Sequence, residues 1–293
     1  MKGHRLTEFS ALGLAEPLLR KVTAGGFTTP TPIQGELIPV LLGGRDAVGI
    51  AQTGTGKTAA FVLPALQRVA QSKGLAAPKS CRVLILSPTR ELAAQILAQI
   101  HRLSDRKRCS TALVGGGAKP GPQIRALAGG VDILVATPGR LLDHFRSGAL
   151  RLDGVEMLIL DEADQMMDLG FLPAIKSVVA ATPDDRQTAL LSATMPPAIR
   201  KLADAFLTEP VEVSVAPASR PIDKIEQSVR YMPASEKRAA LAEILSADEV
   251  TRAVVFTRTK RGADRVAGHL EAAGLNAAAI HGNKSQSQRE RAL

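Results

Sequence analysis

The sequence predicts an α/β protein, doubly wound, with a parallel sheet covered by helices on both faces. Three observations carry that reading. Short β-branched runs, apolar almost throughout, recur at Asp46–Ala51, Arg82–Ser87, Thr111–Val114, Asp132–Ala136, Met157–Asp161, Thr188–Ser192 and Val211–Val215. Helical patterns separate them, as at Thr58–Ala70, Glu91–Leu103 and Pro122–Ala128. The strands lack the polar alternation of a half-exposed sheet, which marks burial on both faces, and helices between strands are what parallel connections require.

The alternation breaks at Ala216-Pro217-Ala218-Ser219-Arg220-Pro221, where two prolines interrupt the pattern and no apolar period continues. A linker over 216–222 is therefore predicted, with a first domain over 1–215. The pattern then restarts with a strand at Ile225–Met232, a helix at Ser235–Leu245 and strands at Ala253–Phe256 and Asn276–His281. Arg289-Glu290-Arg291-Ala292-Leu293 reads as a helix opening without a stop signal. Residues 223–293 are thus expected to be the N-terminal part of an unfinished second α/β domain.

Composition narrows the partners. Lys+Arg 37 against Asp+Glu 28 leaves a net charge of +9, which favours an anionic partner, nucleic acid first. With Phe 7, Tyr 1 and Trp 0 the chain has few platforms for stacking bases, so a nucleic acid would be gripped by its sugar-phosphate backbone with little sequence specificity. Cys81 and Cys109 lack paired spacing, which argues against a disulfide framework or a zinc site and fits a reducing compartment. The N-terminus has no apolar signal core, and no apolar run is long enough to span a bilayer. No membrane partner and a cytoplasmic location are the expectations.

The strongest local signal is Ala51-Gln52-Thr53-Gly54-Thr55-Gly56-Lys57-Thr58, between a predicted strand and a predicted helix. Glycines there let backbone N–H groups wrap phosphates, the helix N-terminus adds partial positive charge, Lys57 reaches the β/γ-phosphates and Thr58 can ligate Mg²⁺. ATP and Mg²⁺ are the expected cofactors. Such a loop needs an acid at the end of another strand, and Met157-Leu158-Ile159-Leu160-Asp161-Glu162 supplies two. Asp161 would hold the metal, and Glu162 would orient or deprotonate the attacking water.

Asp161-Glu162-Ala163-Asp164 is the tetrad that names the DEAD-box RNA helicases, and further motifs of that family follow in order. The resemblance implies a RecA-like P-loop NTPase domain, followed by an incomplete second RecA-like domain, and an ATP-dependent RNA helicase that locally unwinds RNA duplexes or remodels RNA–protein complexes. Gly26-Phe27-Thr28-Thr29-Pro30-Thr31-Pro32-Ile33-Gln34 resembles the Q motif. It implies that Gln34 reads the adenine edge, that Phe27 stacks on the base and that Phe9 is the isolated upstream aromatic. An amide can pair bidentately with adenine N6/N7, so that role is chemically sound. Pro88-Thr89-Arg90-Glu91-Leu92, the glycine run Gly115-Gly116-Gly117 and Thr137-Pro138-Gly139-Arg140 resemble the family's RNA-backbone loops. Ser192-Ala193-Thr194 resembles the motif whose hydroxyls bond to Asp164 and link nucleotide state to RNA grip.

Past the linker, Val254-Val255-Phe256-Thr257-Arg258-Thr259-Lys260 and the segment from His281 to Arg289 resemble two later motifs, with Arg258, Gln286 and Arg289 as implied RNA contacts. The wording around Lys260-Arg261-Gly262-Ala263 is closest to the bacterial RhlE-like branch. RNA is the implied partner, with ribosome-assembly or RNA-decay complexes beyond it. The family's last two motifs, including the arginine fingers, would lie past Leu293, so weak hydrolysis is expected of these 293 residues alone. Two rival readings are a P-loop DNA helicase or non-helicase ATPase, and a non-catalytic clamp that holds ATP and RNA without turnover.

Overall fold

The computed structural model describes residues 8–72, 74–105, 109–215 and 226–292. The chain divides into two compact units, Met1–Arg220 and Pro221–Leu293. The predicted linker at 216–222 lies outside the described residues.

The described part of the first unit opens with a 3₁₀ turn at Phe9–Leu12 and helices α1 (Glu16–Ala24) and α2 (Pro32–Leu42). Strands and helices then alternate: β1 (Ala47–Ile50), α3 (Lys57–Gln71), β2 (Cys81–Leu86), α4 (Arg90–Leu103), β3 (Thr111–Val114), α5 (Pro120–Leu127), β4 (Val131–Ala136), α6 (Pro138–Arg146) and β5 (Met157–Leu160). The unit continues through α7 (Ala163–Asp168), α8 (Leu172–Ala181), β6 (Gln187–Ser192), α9 (Pro197–Phe206) and β7 (Val211–Ser214). Every strand predicted before the linker is present, within a residue at either end.

All seven strands pair in parallel, in the order β3-β4-β2-β5-β6-β1-β7. Successive side chains on a strand point to opposite faces, so a sheet covered on both sides needs apolar residues at every position. Strand β5 illustrates this. Met157 and Ile159 join the layer of Phe61, Leu63 and Ile100, while Leu158 and Leu160 join that of Leu141, Met166 and Ile199.

Register decides where the loops emerge. Ile50 stands opposite Ser192, Leu160 opposite Leu190, Leu86 opposite both Leu160 and Ala136, and Val114 opposite Ala136. The strand carboxyl ends therefore form one line, along which an open α/β sheet binds its ligands. At the other end of the sheet, buried Gln187 ties three elements together. Its Nε2 donates to the carbonyls of Leu41 (3.0 Å) and Arg45 (2.7 Å), and its Oε1 accepts from Arg68 Nη2 at 2.6 Å.

The second unit holds α10 (Lys237–Leu245), α11 (Lys260–Ala272) and α12 (Gln286–Ala292). Two predicted strands here are corrected: Ala253–Phe256 and Asn276–His281 form no ladder among the described residues. A strand exists only through hydrogen bonds to a neighbour, so β-branched propensity without a pairing partner leaves unpaired backbone. Val254 and Phe256 are accordingly 81% and 93% exposed. The predicted strand at Ile225–Met232 begins outside the described residues, and its described part, 226–232, has no regular structure.

The Gln187 clasp makes the first stability prediction. Gln187→Leu should lower unfolding free energy by about 3 kcal/mol, because the buried Leu41 carbonyl, the Arg45 carbonyl and a guanidinium lose their partner at once. The check is the shift of the urea midpoint of the whole chain; a shift inside experimental error would refute the clasp.

Candidate functional site

Between β1 and α3 the chain turns through Gln52–Gly56, with Gly54 at φ 84° and Gly56 at φ 92°, left-handed values that glycine alone adopts cheaply. Gly56 caps α3, so Lys57 and Thr58 open a helix whose first N–H groups have no intrahelical acceptor. Thr53 and Gly54 are exposed on the outside of this turn, and Thr55 folds its hydroxyl back onto the Gln52 carbonyl at 2.6 Å.

Gln34 braces the turn from α2. It is 2% exposed, its Oε1 accepts from Thr31 N at 3.0 Å and its Nε2 donates to the Gly56 carbonyl at 3.0 Å. Thr31 and Gln34 together form a capping box at the start of α2. A Cβ on Gly56 would stand 2.4 Å from Gln34 Nε2, so side chain and turn fit only with glycine there. One amide hydrogen and one lone pair of Gln34 remain for another partner.

Phe27 packs edge-on against Phe9, with ring centroids 6.3 Å apart, and the Arg102 guanidinium lies 5.3 Å from its centre. Arg102 also donates to the Gly25 carbonyl. Phe9 is buried in the apolar layer, so it positions Phe27 from below.

Lys57 and Asp161 carry the electrostatics. Both are buried, and neither Lys57 Nζ nor Asp161 Oδ1 has a hydrogen-bond partner within the chain. Burial pushes Asp161 up to about 7, against the pull of Lys57 and with help from the Glu162 charge. Leaving two buried polar atoms unpaired is costly, and such groups concentrate where a ligand completes them. Glu162 follows at φ 53° and ψ 54°, a left-handed conformation strained for a glutamate and concentrated at functional sites.

Asp164 lies in the first turn of α7 and reaches the loop after β6. Burial alone would raise its carboxyl, but bonds from Thr194 Oγ1 (2.8 Å), Gln165 N (3.0 Å) and Thr194 N (3.0 Å) hold it below its ordinary value. Ser192 Oγ is fully buried and pulls the carboxyl down less than Thr194 Oγ1 and Gln165 N but more than Thr194 N, without a hydrogen bond of ordinary geometry. Both hydroxyls that the sequence resemblance assigns to Asp164 pull on it, and that of Thr194 does so through a hydrogen bond of ordinary geometry.

Along the same line, Pro88 and Thr89 follow β2, and Thr89 Oγ1 caps α4 by accepting from Leu92 N at 3.3 Å. Arg90 packs its stem against Gly115, whose missing Cβ would stand 3.3 Å from Arg90 Cγ. Gly116 and Gly139 are exposed and a Cβ on either would meet nothing, so their backbones are open to a ligand. Thr137 is buried at the N-cap of α6. Arg140 donates Nη1 to the Ala118 carbonyl at 2.8 Å and lies 3.5 Å from Asp143, leaving further N–H donors on its guanidinium.

In the second unit Lys260 Nζ reaches Asn283 Oδ1 at 3.0 Å, bringing the segment that carries Arg258 beside the segment that opens α12. Arg258 is exposed, while Gln286 and Arg289 bond each other at 3.2 Å.

Residues 31–202 match the family model for the DEAD/DEAH box helicase, and residues 236–293 match that for the helicase conserved C-terminal domain. The chain belongs to the DEAD/DEAH box helicase family. It is 43% identical over 288 residues to an "ATP-dependent RNA helicase DeaD" of Klebsiella pneumoniae, spanning 98% of this chain and 44% of that protein. It is 40% identical over 286 residues to an "ATP-dependent RNA helicase CshA" of Limosilactobacillus reuteri, spanning 98% of this chain and 56% of the relative. The chain thus spans about half the length of these curated relatives. Its fold resembles the crystal structure of a DEAD box protein from the hyperthermophile Methanococcus jannaschii, with a TM-score of 0.66 and 37% identity, covering 97% of this chain and 76% of that one. These comparisons establish the RecA-like fold and the family; the RhlE-like resemblance rests on sequence wording alone, and the relatives named here are DeaD and CshA.

The sequence motifs assign no role to Thr31, Arg102, Gln123 or His144. Thr31 was findable, since Thr31-Pro32-Ile33-Gln34 has the spacing of a capping box. The others depend on contacts between elements distant in sequence.

The Asp161 environment gives a pH prediction for the nucleotide-free protein. A carboxyl raised from 3.8 to about 7 on folding stabilises the fold fully only below its unfolded value, and that contribution is lost as pH rises toward 7. Asp161→Asn should flatten the fall in stability across that window in denaturant titrations at several pH values. An unchanged slope would show that Asp161 is ionised in the fold.

Proposed function

We propose that this chain is the ATP-binding and RNA-gripping part of an ATP-dependent RNA helicase. The observation that supports this most is the unpaired buried pair Lys57–Asp161 beneath a glycine turn at a helix N-terminus, a setting complementary to a metal-bound polyphosphate. The turn's N–H groups and Lys57 bind the phosphates. Gln34, already bonded to the turn, offers its remaining amide positions to the adenine edge, and Phe27 offers a ring to the base.

Mg²⁺ fits the donors present. Among the described residues no group of three or more His, Cys, Asp or Glu side chains could hold a metal alone. Asp161 and the Thr58 hydroxyl supply hard oxygens, which suits an ion that takes its other ligands from phosphates and water. When bound, Mg²⁺ neutralises charge on the phosphates. Glu162, beside Asp161 at the mouth of β5, orients the attacking water and accepts its proton. The Asp164–Thr194 bonds carry any shift of α7 to the loop after β6.

RNA is held by Thr89, Arg90, Gly116, Thr137, Gly139 and Arg140 in the first unit and by Arg258, Gln286 and Arg289 in the second. Backbone contacts of this type position a strand without reading its sequence. Ribosome-assembly or RNA-decay complexes in the cytoplasm are the settings such an activity serves; among the described residues no helix is long and apolar enough to cross a membrane.

The test uses the whole protein that carries this chain. ATP turnover should rise with single-stranded RNA and not with DNA of the same sequence, and short RNA duplexes should separate only with ATP. RNA affinity should fall linearly in log–log form with salt. Gln34→Ala should erase the preference for ATP over GTP. DNA stimulation equal to RNA stimulation would sink the RNA assignment, and equal use of GTP by the unmutated protein would sink the adenine reading.

A further inference from the structure

We infer that His144 is a positioning residue for RNA, acting through Gln123 on the glycine loop after β3; the inference rests on the RNA reading above. His144 and Gln123 are 2% and 7% exposed and belong to none of the motifs that the sequence singles out. Gln123 Nε2 donates to the Gly115 carbonyl at 3.0 Å. Its Oε1 therefore faces His144 Nε2, 3.0 Å away, and must accept. That assignment follows from chemistry. A carbonyl can only accept, so the amide orientation is fixed, and with it the histidine tautomer carrying hydrogen on Nε2. Burial, with the nearby Arg140 charge, holds His144 below its ordinary value, so it donates as a neutral ring.

Arg140 and His144 stand one turn apart on α6 and share a face. Arg140 holds the Ala118 carbonyl at the far end of the loop, and His144 holds Gly115 at the near end through Gln123. One helix thus fixes both ends of Gly115–Ala118, between which Gly116 is exposed and Gly117 sits at φ 76°. Neither His144 nor Gln123 can touch a strand lying on that loop. They set where the Gly116 backbone points, and because Arg90 packs on Gly115 they also set the spacing between loop and arginine.

The experiment measures affinity for fluorescein-labelled single-stranded RNA and, in parallel, for a fluorescent ATP analogue on the whole protein. His144→Leu should weaken RNA about tenfold, the scale of a buried partner left unpaired, with analogue affinity unchanged. His144→Gln, which keeps a donor near the Nε2 position, should restore RNA affinity to near that of the unmutated protein. Gln123→Leu should match His144→Leu, and the double variant should be no worse than either, since both act through one relay. Arg140→Ala and Arg90→Ala report on the underlying reading. If they weaken RNA and His144→Leu does not, the relay is refuted and the RNA surface stands. If none of the variants weakens RNA, both fall. Parallel loss of RNA and analogue affinity in both leucine variants, without rescue by His144→Gln, would mark the pair as core packing and overturn the inference.

Discussion

Backbone hydrogen bonds between parallel strands set the sheet edge from which the first unit's phosphate turn, acids and backbone-binding loops emerge. The strands β1, β6 and β5 are adjacent, and their register brings Ile50, Ser192 and Leu160 to a common edge. The glycine turn, the Asp164 partner loop and the two acids therefore emerge side by side. On the other flank β2, β4 and β3 end together and deliver Thr89–Arg90, Thr137–Arg140 and the glycine loop. A one-residue slip in a ladder would reverse every side chain between the two apolar layers, so the close packing of particular side chains in each layer holds the register and the register holds the site.

That rigidity supports groups which local energetics disfavours. Lys57 Nζ and Asp161 Oδ1 are buried without partners, and Glu162 occupies a left-handed conformation. All three sit on one stretch of the sheet edge. On the proposed reading an anion and a cation complete the arrangement together, as phosphate and metal in one ligand. Gln34 couples this setting to α2, since the amide proposed to read the adenine edge also holds the Gly56 carbonyl.

Much of this was legible in the sequence, for physical reasons. A strand buried on both faces must be apolar throughout, which made the β5 run unmistakable, and a phosphate turn needs glycines and a lysine at fixed spacing. What stayed hidden depends on partners brought together by the fold. Gln34 on its own reads as a solvated helix residue, yet it is buried between Thr31 and Gly56. His144 carries no pattern at all, since its role is set by Gln123 twenty-one residues away. The strands expected at Ala253–Phe256 and Asn276–His281 fail for the complementary reason: propensity is local, pairing is not.

The central claim is that Lys57 and Asp161 are a buried, unpartnered pair completed by a metal-bound polyphosphate. Titration calorimetry with a non-hydrolysable ATP analogue tests it most directly, on the unmutated protein with and without Mg²⁺ and on Lys57→Ala and Asp161→Ala. The account predicts tight binding only with Mg²⁺ in the unmutated protein, and a loss on the order of a thousandfold in either variant, as for charges removed from a desolvated clamp. Binding of equal strength without Mg²⁺, or variants that bind as well as the unmutated protein, would contradict it.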